Sequence, residues 1–194
     1  MDTLLEIYRS NFYLIDFMIG GLTPAVVYFL YRTGRVPKFV WPLFWVGFAI
    51  GLSWEVPMQV LNEVVEGGDV HRYIRPLPVH FSVVIVMHSL WDGGIFLAGI
   101  LSARLVCKGP VLQEFRWCEL LTFILWGQAS ALAVEMTSIS GQAWVYITRP
   151  WNPPLFHFMG EPVTVMIQAI WLLAPIVFYF AALKIRPFVE GPSG

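Results

Sequence analysis

The chain has 194 residues, 57% hydrophobic and 13% charged, with a formal net charge of -1. A mean hydropathy of +0.66 exceeds what a soluble core of this size needs, so the composition is that of a membrane protein. The near-neutral balance excludes the basic field on which nucleic-acid binding depends.

At about 20 residues per crossing, the apolar runs predict an all-α bundle of five transmembrane helices. The spans are Phe12–Tyr31, Val40–Leu61, Phe81–Val106, Trp117–Ser138 and Val163–Leu183, forming one domain over residues 1–186 with a flexible tail at 187–194. Met1 to Arg9 lacks a basic segment followed by a cleavage site, so no removable signal peptide is expected. Arg32, Arg35 and Lys38 fill the first connection, Arg104, Lys108 and Arg116 the third, and Lys184 and Arg186 the end. The positive-inside rule then predicts these on the cytoplasmic side and the N-terminus outside or lumenal. Cys107 and Cys118 lie near the two ends of the third connection, on the reducing side by this reading, which argues against a structural disulfide. The host membrane would be the endoplasmic reticulum in a eukaryote or the inner membrane in a bacterium.

Polar groups interrupt these runs, and an acid at membrane depth marks function by default. The first span carries Asp16, expected at an interface touching water or in a catalytic role, and Gly20-Gly21 with Pro24, expected at close helix packing with a kink. In the second, Glu55, Gln59 and Asn62 follow at i, i+4 and i+7, a polar stripe on one helical face. Trp54 precedes the acid, and Pro57 frees a carbonyl one turn back. The second connection reads as an ordered cap or a solvated loop, with His71 and His80 at the surface or interface.

In the third span His88 and Asp92 stand four apart beside Trp91, close enough to interact or converge on one target. The fourth holds Gln128 and, seven residues on, Glu135. The fourth connection is rich in aromatics and prolines, among them Trp144, Tyr146 and Trp151, and is expected in the headgroup belt or folded into the bundle mouth. The fifth aligns Thr164, Gln168, Trp171 and Pro175 on one face. Running the helices in alternating directions places Glu55, His88, Asp92 and Glu135 in one layer toward the outer leaflet.

That layer has no Gly-rich phosphate loop, no Cys-x-x-Cys and no serine or cysteine beside a base, and one well-placed histidine makes metal a minority reading. No cofactor is expected. What remains is acid–base chemistry: an apolar pocket favours a neutral carboxyl group, so Glu55, Asp92 or Glu135 would act as general acid. The faces of Trp54, Trp91 and Trp171 would steady a transient cation, Glu135 and Gln168 would complete the polar ring, and Gln59 and Gln128 would join them in binding substrate.

Gln168-Ala-Ile-Trp171-Leu-Leu-Ala-Pro175 resembles the Asn-x-x-Trp-x-x-x-Pro signature of the emopamil-binding protein (EXPERA) family of sterol isomerases. Trp45-Val46-Gly47-Phe48 leading to Glu55, Met87-His88 and Gly127-Gln128 are similar to segments of that family's second, third and fourth spans. Gly51, His88 and Gln168 depart from it, standing where the family has histidine, glutamate and asparagine. Ser53-Trp54-Glu55 and Leu90-Trp91-Asp92 also resemble motifs of integral membrane terpene cyclases, which usually have more spans. Both resemblances imply membrane acids acting on isoprenoid skeletons. The expected function is protonation of a C=C bond in a sterol-like or terpenoid substrate, with Glu55 as donor or cation stabiliser and His88 and Asp92 as relay. The alternatives are a non-catalytic lipid-binding or trafficking protein and, less favoured, a proton-coupled transporter, against which the chain shows no internal repeat. The expected partners are the isoprenoid or sterol-like small molecule and membrane lipids, with room for a homodimer and no nucleic acid.

Overall fold

The computed structural model describes residues 2–191. Among these residues, five helices are long and apolar enough to cross a membrane: α1 (Asp2–Arg32), α2 (Val40–Glu63), α3 (Phe81–Val106), α4 (Trp117–Ser140) and α5 (Val165–Glu190). Such a chain is an integral membrane protein of the helical class. Helix α1 begins ten residues before the predicted span, because Asp2 to Asn11 continues the same helix beyond the apolar run. Helix α5 extends to Glu190, into the expected tail, where Arg186 Nε donates to Glu190 across one turn at 2.6 Å. The rest of that expected tail, Pro192 to Gly194, lies outside the described residues.

Glycines set the helix spacing. A Cβ on Gly93 of α3 would lie 2.8 Å from the Phe44 ring of α2, and one on Gly127 of α4 would lie 2.8 Å from Trp171 O of α5. Gly20 likewise seats α1 on Met87 of α3, as its Gly-Gly pair suggested. Where bilayer surrounds the helices, association depends on such close approach rather than on hiding apolar area from water. Leu14, Met18, Leu22 and Val26 of α1 accordingly stay more than half exposed. Between α3 and α5 the rings of Phe96, Trp171 and Phe178 stack at 5.4 and 4.7 Å.

The second and fourth connections are ordered, so the all-helical expectation holds for the spans and not for this end. β1 (His71–Tyr73) pairs antiparallel with β2 (Trp144–Tyr146), His71 opposite Tyr146 and Tyr73 opposite Trp144. β3 (Pro154–Phe158) pairs with β4 (Glu161–Thr164), which takes over the first two residues of the predicted fifth span. Asn62 anchors this cap to α2: its amide donates to His71 O at 2.6 Å and its Oδ1 accepts from Val70 and His71 N–H.

The opposite, basic end corrects one expectation. Cys107 and Cys118 form a disulfide across Cα atoms 6.0 Å apart, within bridging range. Compartment was the wrong criterion. α3 and α4 are adjacent antiparallel neighbours, and their short connection brings the two sulfurs together. Arg116 holds that connection, donating to Pro110 O, Lys108 O and the fully buried Glu119, whose other oxygen accepts from Leu112 N–H at 2.9 Å.

Candidate functional site

Beneath the cap lies a cavity of about 250 Å³. Its polar wall comes from three helices: Asp16 of α1, Glu55 of α2, and His88 and Asp92 of α3. His88 Nε2 lies 3.0 Å from Asp16 Oδ2, and His88 Nδ1 faces Glu55 Oε2 at 3.6 Å, just beyond hydrogen-bond range. The imidazole is therefore clamped between two carboxylates from neighbouring helices. Trp91 Nε1 donates to Asp16 O at 2.9 Å, which fixes α1 against α3 at this depth.

The i, i+4 spacing of His88 and Asp92 does bring both to the cavity, without a hydrogen bond between them. Asp92 instead points at α2. One of its oxygens is buried with no partner in the protein, and a Cβ on Gly51 would lie 2.5 Å from that oxygen. Glycine at position 51 is what gives the Asp92 carboxyl its space.

Aromatic faces form the rest of the wall: Trp54, Trp91 and Trp171, as expected, plus Trp144 and Tyr146 from β2. Trp54 and Trp171 approach at 5.6 Å between ring centres, and Trp144 lies over His88 at 5.0 Å. Trp144 and Tyr146 are buried in the bundle mouth, so this part of the fourth connection is a lid rather than an interfacial belt. The period-two aromatics of His-Arg-Tyr and Trp-Val-Tyr were the available signal for paired strands. Trp151 and Phe156 are exposed, as a belt requires.

Four of the singled-out residues lie away from the cavity: Gln59, Gln128, Glu135 and Gln168. Glu135 accepts from Thr164 N–H (3.1 Å) and from Gln168 Nε2 (3.2 Å), while Gln168 O accepts from Gln128 Nε2 (2.9 Å). This chain of bonds ties α4 to the start of α5. Gln59 lies one turn above Glu55 and accepts from the Tyr73 hydroxyl at 2.8 Å, again holding the cap. The helical stripe thus divides by height: Glu55 faces the cavity, and Gln59 and Asn62 hold its roof.

The sequence placed His71 at the surface or interface, and the fold corrects this. His71 is only 4% exposed, because its strand pairs with β2 and turns the ring inward beneath Tyr146. His80, by contrast, is exposed and caps α3 by accepting from Ser82 N–H. Burial, assisted by nearby His88, lowers the His71 pKa from its ordinary 6.5 to about 4. The unfolded chain then binds the extra proton between these values, so the stability of the neutral His71 is complete above pH 6.5 and is lost as pH falls toward 4. A loss of up to about 3 kcal/mol is expected from this group. Detergent unfolding at pH 7 and pH 4.5 should show it in the wild type and a smaller drop in His71→Phe; equal drops would discount His71 as the acid-sensitive group.

No protein-family model, curated protein or solved structure matches this chain.

Proposed function

We propose that the protein is a membrane-embedded isomerase or cyclase that protonates a C=C bond of a sterol-like or terpenoid substrate and steers the resulting carbocation. One observation carries the reading: the Asp16–His88–Glu55 constellation opens onto a cavity walled by four tryptophans. Glu55 gives its proton to one alkene carbon, and the π electrons form the new C–H bond, leaving a cation on the neighbouring carbon. The electron-rich faces of Trp54, Trp144 and Trp171 stabilise that charge while excluding water that would capture it. A second carboxylate on the same polar wall, Asp92, one turn from His88, removes a proton from an adjacent carbon and forms the new double bond. His88, held by Asp16, positions Glu55 and exchanges protons with it.

The geometry also refines the resemblance to sterol isomerases. Gly51, one of the departures from that family, accompanies Asp92, whose carboxyl group fills the space beside it. On this reading an acid on α3 replaces a side chain on α2. Glu135, Gln128 and Gln168 become residues that position helices rather than members of the reacting set.

The cavity mouth is lined by Ala133, Val134 and Thr137, all exposed on α4, so an apolar substrate enters sideways from the bilayer. The direct test is mass spectrometry of lipids that co-purify with the protein, followed by incubation of the extracted compounds with it in deuterated water. Deuterium at carbon in a rearranged isoprenoid is the expected result. A bound sterol or terpenoid returned without label would instead make this a lipid-binding protein.

The reading includes an orientation, with the basic end cytoplasmic and the cap on the outer or lumenal side. Arg32, Arg35, Lys38, Arg104, Lys108, Arg116, Lys184 and Arg186 support it. Cys107 is only 5% exposed, but Cys118 is exposed on α4, so a reductant on that side can reach the bridge. An impermeant phosphine followed by an impermeant maleimide should label Cys107 and Cys118 in inside-out vesicles and not in right-side-out ones. The opposite pattern would invert the topology.

A further inference from the structure

Between the cavity and the cap is a second, much smaller space of about 10 Å³, bounded by Glu55, Gln59, His71, Tyr73, His88 and Tyr146 among others. Its volume matches a single water molecule, and such a site is wet only where several polar groups face it. Here they do. The His71 ring is 4% exposed, and its Nδ1 is buried without any partner in the protein. Glu55 and His88 border the same space from α2 and α3, and Tyr73 and Tyr146 from β1 and β2; Asp16 engages the opposite nitrogen of His88. On the other side of His71, its neighbour Arg72 is exposed on the cap and pairs with Glu161 at 2.8 Å.

We infer that His71 is the proton relay of this protein: a water held between its imidazole, Glu55 and His88 connects the membrane-buried acids to the solvent above the cap. The inference rests on the reading of Glu55 and His88 as the proton-handling pair. The main mouth cannot serve this purpose well, because Ala133 and Val134 open it toward hydrocarbon. When Glu55 has given a proton to carbon and Asp92 has taken one, Glu55 must be refilled and Asp92 emptied. One proton arriving at the outer nitrogen of His71 allows its Nδ1 to release one to the water, which passes one directly to Glu55 and exchanges with His88 at the same space. Once product has left, the proton that Asp92 took crosses the cavity it shares with Glu55 and leaves through the same water and His71 in the opposite direction, so each turnover is proton-neutral and no oxidant or reductant is needed. The low basicity of buried His71 keeps it neutral between transfers, so that it conducts the proton without retaining it.

The test reads proton access directly, without turnover. Nitrogen-15 histidine labelling gives the exchange rate of the His88 ring N–H with solvent water in micelles at pH 7. His71→Phe keeps the ring volume and removes both nitrogens; His71→Gln keeps a polar group at the space but cannot carry a proton, and serves if the first variant unfolds. Exchange at His88 at least tenfold slower than in the wild type is expected in either folded variant. Exchange at the wild-type rate would overturn the relay. Because the measurement needs no substrate, a Glu55→Gln protein that retained turnover would refute the catalytic reading while leaving this result to stand or fall separately.

Discussion

Glu55→Gln is expected to lower turnover of the isoprenoid substrate by about 10²–10⁴-fold, the range typical of a lost general acid. The amide has the same shape as the carboxyl group and keeps an oxygen toward His88, but it has no transferable acidic proton. Glu55 is buried on α2 and makes no hydrogen bond that fixes a neighbouring helix; its closest charged partner is His88 at 3.6 Å. Folding should therefore be little affected, with unfolding in detergent within about 1 kcal/mol of the wild type. The measurement is deuterium incorporation at carbon per unit time for matched amounts of folded protein. Full activity in Glu55→Gln would remove this residue from the chemistry and with it the carbocation mechanism proposed above.

Glu135 should behave in the opposite way. Replacing it with alanine leaves the Thr164 N–H and the Gln168 amide without their acceptor, at a place where Thr164 is fully buried and Gln168 nearly so. Each orphaned buried donor costs about 1–3 kcal/mol, so Glu135→Ala is expected to lose about 2–5 kcal/mol. Glu135→Gln is the informative companion. Its side-chain oxygen can still accept from Thr164, and Gln168 can turn its amide to offer oxygen where it now offers N–H. That variant should lose less than about 1 kcal/mol and keep most of its activity. Equilibrium unfolding in mixed micelles checks the first expectation and turnover the second. A stable but inactive Glu135→Gln would return this acid to the reacting set.

These two glutamates show how far the chain can be read before it folds. Both are acids in apolar runs, both were expected in one layer, and both are buried. Depth in a helical span follows from residue count, since each residue rises about 1.5 Å, and so the layer was legible. The direction each side chain faces within the layer was not. Glu55 points into the cavity because Gly47 and Gly51 bring α2 tightly against α3. Glu135 points at the β4–α5 junction because the chain there supplies an unpaired N–H. Asp16, expected at the interface at least as much as in a catalytic role, proves to be the partner of His88 from another helix, a contact separated by 72 positions that no local spacing encodes.

The sequence by itself determined the membrane class, the number of crossings and the apolar stretches that form them, because a hydrocarbon environment requires long runs whose backbone satisfies its own hydrogen bonds. It also showed which polar residues interrupt those stretches. Only the tertiary structure decided which of those polar residues meet. It also turned Trp144, Tyr146 and His71 inward under a two-stranded cap and brought Cys107 within reach of Cys118. The physical reason is one of range. Helix formation in an apolar run is local, whereas the pairing of His71–Tyr73 with Trp144–Tyr146 and the clamping of one imidazole by two other helices depend on how the helices pack.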